Sequence, residues 1–263
     1  TELSIEDFVT EHTVYGSVLL QGETNFIPPY KLNITAQSEL SNSDLFSLFE
    51  GTQQRLQLSG DLSALTFNSQ LTGNIELAAK GQVDLTKKEL PFTSSISISK
   101  HLEWERLLSA SNPIKASVTV NGDVNNQQFI INGLLSAYGY NNAELILDAS
   151  HYGSNLIINK FSFNEQDTQS KLSLQGQLNY SDALSWDAKL TSSGFTLPVT
   201  QSKYDDINGR LSGNIDISGK SNVDQWSIKI RESALQGVIN DTPISAVGNV
   251  ALGYVGEDEQ WQL

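Results

Sequence analysis

The side chains best able to do chemistry are few and scattered in this sequence. His12, His101 and His151 are its three histidines, and none has a second histidine at the spacing that places two imidazoles on one metal. There is no cysteine, which removes thiol nucleophiles, zinc-thiolate sites and disulfides. No Gly-x-Ser-x-Gly elbow, phosphate-binding loop or dinucleotide fingerprint occurs. Carboxylates gather at Asp205-Asp206 and Glu257-Asp258-Glu259, stretches that read as loop or terminus, where a solvated face is the expected role. No Gly/Asp nonapeptide repeat points to calcium coils. Asn33 and Asn240 open Asn-x-Thr sequons, which matter only in a eukaryotic secretory route. The expectation is a protein that is not an enzyme, with no metal and no cofactor.

Composition narrows the partners. Net charge is −14 and the pI is near 4.5. No basic patch is available to neutralise phosphates, so nucleic acid is not the expected partner, nor is electrostatic docking on an anionic membrane. Hydrophobic residues make up 38% of the chain, enough for a large core or a large apolar surface. No apolar run is long enough to span a bilayer as a helix. The chain begins at Thr1 and has no methionine, so it reads as a piece of a longer protein, with any targeting or anchoring segment outside it.

What the sequence has in quantity is alternation. Between Lys171 and Leu190, Leu172, Leu174, Gly176 and Leu178 share one parity, and after a turn at Ser181-Asp182 so do Leu184, Trp186, Ala188 and Leu190. Successive strand residues point to opposite faces, so this stretch predicts a hairpin with one apolar and one polar face. The pattern recurs. Val14 to Gly22 carries Val18 and Leu20, and after Pro28-Pro29 come Leu32 and Ile34. Then follow Leu56 and Leu58, Phe67 and Leu71, Ile75 and Leu77, Val83 and Leu85, and, past Lys87-Lys88, Phe92, Ile96 and Ile98. Further on are Val118 and Val120, Phe129 and Ile131, Leu145 and Leu147, and Phe161 and Phe163. Past the hairpin come Leu211, Ile215 and Ile217, Trp226 and Ile228, and Ile244, Val250 and Leu252. Trp226 to Ile230 and Ala234 to Ile239 read as two separate strands. Turn chemistry separates many strands, at Asn125-Asn126, Asn141-Asn142, Gly153-Ser154 and Asn240-Asp241. Two stretches break the alternation. Ser41 to Glu50 predicts a short amphipathic helix, and His101 to Ser109 a weaker one.

The strands also repeat at long range. Ser17-Val-Leu-Leu-Gln-Gly22, Ser117-Val-Thr-Val-Asn-Gly122 and Asn214-Ile-Asp-Ile-Ser-Gly219 are alike, as are Gly81-Gln-Val-Asp-Leu and Gly176-Gln-Leu-Asn-Tyr. These spacings predict modules of roughly 95–100 residues, too long for the coils of usual solenoids. They fall at about 14–110, 111–208 and 209–263, within one continuous segment over 1–263. Periodicity leaves a two-sheet sandwich and a single curved sheet equally open. Recurrent strand glycines, among them Gly176, Gly213 and Gly219, would allow the second to bend.

From Leu135 to Gly219 the residues resemble the C-terminal region of the TamB family, within the AsmA-like group of Gram-negative envelope proteins. The resemblance rests on Ala137-Tyr-Gly-Tyr-Asn-Asn, Leu172-x-Leu-x-Gly-x-Leu, Leu184-Ser-Trp-Asp-Ala-x-Leu and Asn208-Gly-Arg-Leu-Ser-Gly-Asn-Ile-Asp-Ile-Ser-Gly, with weaker copies back to about Val14. It implies an all-β fold: a long, curved antiparallel sheet forming a taco-like groove with an apolar interior, plus one or two short helices. It implies a periplasmic place, with an inner-membrane anchor outside this stretch. It also implies transport of phospholipid acyl chains between the two membranes, and support of outer-membrane protein assembly with a barrel partner of the TamA type. The alternating apolar residues named above would then line the groove. A chaperone for outer-membrane strands and an adhesin-type β-sandwich are the competing expectations.

Overall fold

The computed structural model describes residues 2–12, 16–39, 52–101, 115–137, 140–181, 183–197, 209–222, 225–255 and 260–262. All regular structure among them is β. The chain forms two compact units, Thr1–Gln127 and Gln128–Leu263. Both expected helices, Ser41 to Glu50 and His101 to Ser109, lie outside the described residues except for His101, which ends a strand.

The first unit holds β1 (Glu2–His12), β2 (Gly16–Asn25), β3 (Leu32–Glu39), β4 (Gln53–Gly60), β5 (Leu65–Thr72), β6 (Ile75–Val83), β7 (Phe92–His101) and β8 (Lys115–Gly122). Each pairs antiparallel with the next. A strand β9 (Asn126–Leu135) begins here and continues into the second unit. There follow β10 (Ala143–Tyr152), β11 (Asn155–Glu165), β12 (Ser170–Asn179), β13 (Leu184–Leu197), β14 (Gly209–Ser221), β15 (Gln225–Ile239), β16 (Thr242–Val255) and β17 (Gln260–Gln262), again each antiparallel to the next from β10 onward.

The turns explain the meander. Asp61, Asp84 and Asp123 each open a loop between consecutive strands. Each carboxylate accepts the amide of the residue two further on, at 2.8, 3.0 and 2.7 Å. All three acids are held below the usual carboxylate range. The Ser63 hydroxyl is the leading cause at Asp61, the Thr86 hydroxyl at Asp84 and the Asn125 amide at Asp123. Between β15 and β16, Asn240 and Asp241 both take positive φ (46° and 61°), as a two-residue hairpin turn demands.

Register carries parity from strand to strand. In the first unit, Ile34, Leu58, Phe67, Gly81, Ser94 and Val120 stand successively opposite one another, as do Leu20, Ala36, Leu56, Ser69, Ala79, Ile96 and Val118. In the second, Leu147, Phe161, Leu174, Leu190 and Ile215 form one such row, and Leu156, Leu178, Trp186, Gly219, Ile228 and Leu252 another. Cross-strand pairs of this kind contribute roughly 0.2–1 kcal/mol each.

Where the sequence loses its alternation, the chain stays in one strand through a β-bulge. Asn159 is the extra residue of β11, between Ile158 and Phe161, and its amide donates to Asp148 on β10 at 3.1 Å. Arg231 plays the same part in β15, donating to Asp216 on β14 at 2.6 and 3.0 Å. The expected pair of strands at Trp226–Ile230 and Ala234–Ile239 is thus one strand, β15, with the parity change absorbed at Arg231-Glu232. Strand β1 escapes sequence reading, because its own bulge between Ile5 and Phe8 breaks the period.

The Trp186 indole lies over Gly219 of β14. A Cβ at Gly219 would overlap its indole ring, whereas one at Gly248 would meet nothing. Gly219→Ala is therefore expected to destabilise the chain by about 1–3 kcal/mol, and Gly248→Ala to stay within about 0.5 kcal/mol of the wild type. Denaturant midpoints measured on both variants check this.

Candidate functional site

Most apolar strand residues of each unit are gathered on one face, with Val9, Leu19, Ile146, Ile157 and Val247 on the other, and almost none is fully covered. Along β5 and β6, Leu65, Phe67, Leu71, Leu77 and Val83 are half-buried, while Thr66, Asn68, Gln70, Glu76, Lys80 and Gln82 between them are exposed. On β12, Leu172, Leu174 and Leu178 alternate in the same way with exposed Lys171, Ser173, Gln175 and Gln177. Strand contacts within each unit run between sequence neighbours, with no second sheet laid over the apolar side among the described residues. A two-sheet sandwich would bury those side chains. Here only Ile75, Ala137, Tyr140, Ala143, Ala149 and Phe163 are buried hydrophobics among the described residues. The polar side is closed by its own hydrogen bonds, such as Gln177 to Asp187 (2.7 Å) and Ser59 with Thr66 (2.9 Å).

The sequence-derived candidates sort as follows. In the first unit Val18, Leu20, Leu32, Ile34, Leu56, Leu58, Phe67, Leu71, Ile75, Leu77, Val83, Phe92, Ile96, Ile98, Val118 and Val120 sit on strands at one parity. Leu85 does not. It stands exposed in the β6–β7 loop, its amide donating to the Leu62 carbonyl of the β4–β5 loop at 2.7 Å. Phe129 and Ile131 are half-buried on β9. In the second unit Leu145, Leu147, Phe161, Phe163, Leu172, Leu174, Leu178, Trp186, Leu190, Leu211, Ile215, Ile217, Trp226, Ile228, Ile244, Val250 and Leu252 stand on the strands in register, with Val250 and Leu252 the more exposed. Leu156, Ile158, Ile230 and Leu235 belong to the same face and were missed, Leu156, Ile158 and Leu235 because a bulge switches the parity between them and the named candidates of their strands. The polar interruptions Asn159-Lys160 and Arg231-Glu232 are the signal that marks those switches.

Tyr140 was also missed. The segment Ser136–Ala137 and Tyr140–Ala143 packs onto the apolar face at one end of β10–β13. Tyr140 is 8% exposed, Phe163 6% and Ala143 0%. The Tyr140 ring meets Phe163 edge-on at 4.9 Å and Phe195 at 6.1 Å, and its hydroxyl donates to the Thr196 carbonyl. Burial, with Glu165 adding to it, pushes the phenol up to about 12. Glu165 itself is buried. Burial works against its charge, but the hydroxyl and amide of Thr168 (amide at 2.6 Å), with the amides of Asp167 and Asn141, outweigh that and hold the carboxyl below its usual range. At the opposite end of the same strands, His151 stacks on Tyr180 with ring centroids 6.0 Å apart and bonds to its hydroxyl. Among the described residues no group of three or more His, Asp or Glu side chains could hold a metal ion, and no helix is long and apolar enough to cross a membrane.

Glu165 gives a pH signature with a definite sign. Its folded pKa is depressed, so its stabilisation is present above the unfolded glutamate value of about 4.3 and is lost as pH falls through the lower folded value. Glu165→Gln should therefore lower the melting temperature at neutral pH, and the gap to wild type should shrink as pH drops below about 4. Thermal melts of both proteins across that range check it.

A family profile described as "TamB, N-terminal domain" matches residues 1–263. The chain is 22% identical over 264 residues to the "Translocation and assembly module subunit TamB" of Haemophilus influenzae (strain ATCC 51907 / DSM 11121 / KW20 / Rd), covering 95% of this chain. It spans only 19% of that relative's length. No solved structure matches. The matched profile supplies the position within the family, which a degenerate alternating repeat leaves open. The chain belongs to the TamB family and corresponds to its N-terminal domain.

Proposed function

We propose that the apolar faces shield phospholipid acyl chains in the periplasm, as a non-catalytic segment of a protein that moves lipid between inner and outer membranes. The observation that carries this reading is the half-buried, one-parity apolar face that no second sheet covers among the described residues. Each methylene withdrawn from water onto such a face gains about 0.8 kcal/mol. The residues Leu147, Phe161, Leu174, Leu190 and Ile215 are near-equivalent in chemistry. A chain sliding over them therefore meets a shallow energy profile, and no cofactor is needed. Family membership supports the wider setting: support of outer-membrane protein assembly, an inner-membrane anchor elsewhere in the protein, and an outer-membrane barrel partner of the TamA type.

Leu174→Asp and Ile217→Asp put a charge on the centre of this face. Each is expected to reduce co-purifying phospholipid about tenfold, ~1.4 kcal/mol, with the far-ultraviolet signature of the sheet retained. Native mass spectrometry reads the lipid. Unchanged lipid in both variants would rule out a conduit through this segment. A photo-crosslinker at Val120 separates the cargoes: lipid adducts support conduction, and adducts to an outer-membrane protein strand would transfer the face to a chaperone role.

A further inference from the structure

The apolar face of the second unit is not symmetric from end to end. At one end of β10–β13 the Tyr140 cluster covers it, with Phe163 at 6% and Ala143 at 0% exposure. At the other end Tyr180, 45% exposed, stacks on His151, and Trp186 lies over Gly219 in the His151–Leu156–Leu178–Trp186 row. Strand β12 runs without a bulge against β13 between these ends, from Leu172 in the covered row to Leu178 in the open one. Six residues of strand cover roughly 20 Å. One leaflet of a bilayer's hydrocarbon, half of roughly 30 Å, is about 15 Å deep. The apolar span between the two ends thus accommodates one acyl chain lengthwise.

The two ends also differ in what they offer a polar group. The buried ion at the covered end is an anion, Glu165, whose oxygens are taken up by Thr168 and Asp167. A phosphate there would be both desolvated and repelled. At the open end stand the amphipathic rings of Tyr180, Trp186 and His151, the side chains that suit a boundary between hydrocarbon and water.

We propose that a phospholipid lies on this face along the strand direction, its chain ends against the Tyr140 cluster and its headgroup at the His151–Tyr180–Trp186 end. This rests on the acyl-shielding function proposed above and adds a polarity to it. Tyr140 is then a positioning residue: it stops the chain and so sets how far the headgroup stands from Leu178.

The test places photo-leucine, which keeps the shape of leucine, at Leu172 or at Leu178 in the full chain. The protein is loaded from vesicles of palmitoyl-oleoyl phosphatidylcholine, and the attachment point on the lipid is mapped by fragmentation. The expected result is chain-terminal attachment at Leu172 and attachment near the glycerol at Leu178. Tyr140→Ala, folded by circular dichroism, should lose the chain-terminal preference at Leu172 while still forming lipid adducts. The reverse order, or the same distribution at both positions, would overturn the orientation and leave acyl shielding standing. Absence of lipid adducts at both positions would overturn the shielding function and the orientation with it. Retained preference in Tyr140→Ala would remove the positioning role from Tyr140.

Discussion

Antiparallel register is the constraint on which everything else in this protein depends. A strand with alternating apolar and polar residues has one face to shelter, and its neighbour must present the same face on the same side. A slip of one residue anywhere would turn Leu172, Leu174 and Leu178 outward and bring Lys171, Ser173 and Gln175 onto the apolar side. The described pairs avoid this over the length of each unit. Bulges are the correcting device. The extra residue is polar at both the β11 and β15 bulges, and each time it reaches an aspartate on the preceding strand, Asn159 to Asp148 and Arg231 to Asp216. Thus a local break in the pattern preserves the long-range pattern.

The same constraint shapes how the fold is held together. A sandwich gains most of its stability from a dry interior. Here the dry part among the described residues is small and centres on Tyr140, Ala143 and Phe163. The rest is carried by ladder hydrogen bonds, cross-strand pairs and half-buried rows, each modest and many times repeated. Glycines enter where an aromatic ring needs room: Gly219 under Trp186 and Gly81 beneath Phe67. Loops reinforce the edges. Leu85 donates its amide to the Leu62 carbonyl, Val124 to Glu89 and Tyr180 to Ser154, so neighbouring loops continue the pairing beyond the strand ends.

An apolar face left half-covered is an unusual thing for a protein to maintain, since exposed apolar patches mark binding sites or aggregation hazards. The face meets that hazard with a strongly acidic balance and with exposed polar residues between the apolar ones. Chemically it is uniform along its rows and has no cluster of reactive groups among the described residues. That uniformity is what the acyl-shielding role proposed above requires. The asymmetry between the Tyr140 end and the His151 end runs along the strands rather than along a row.

The sequence by itself determined the strand type, the face each side chain would take inside an unbroken strand, many of the turns and the family. These are local properties: alternation is read over five residues, and turn chemistry over two or three. It also made catalysis an unpromising reading, since no pairing of reactive residues appears at a chemical spacing. Only the tertiary structure decided that, among the described residues, no second sheet covers the apolar faces, because what covers a face depends on residues distant in sequence. It likewise joined Trp226–Ile230 to Ala234–Ile239 as one strand, moved Leu85 out to a loop, and brought Leu156 and Ile158 onto the face that Phe161 and Phe163 share. Tyr140 is the clearest case. In sequence it is one tyrosine in a polar turn. Its burial comes from Phe163 and Phe195, 23 and 55 positions away, which only register brings together.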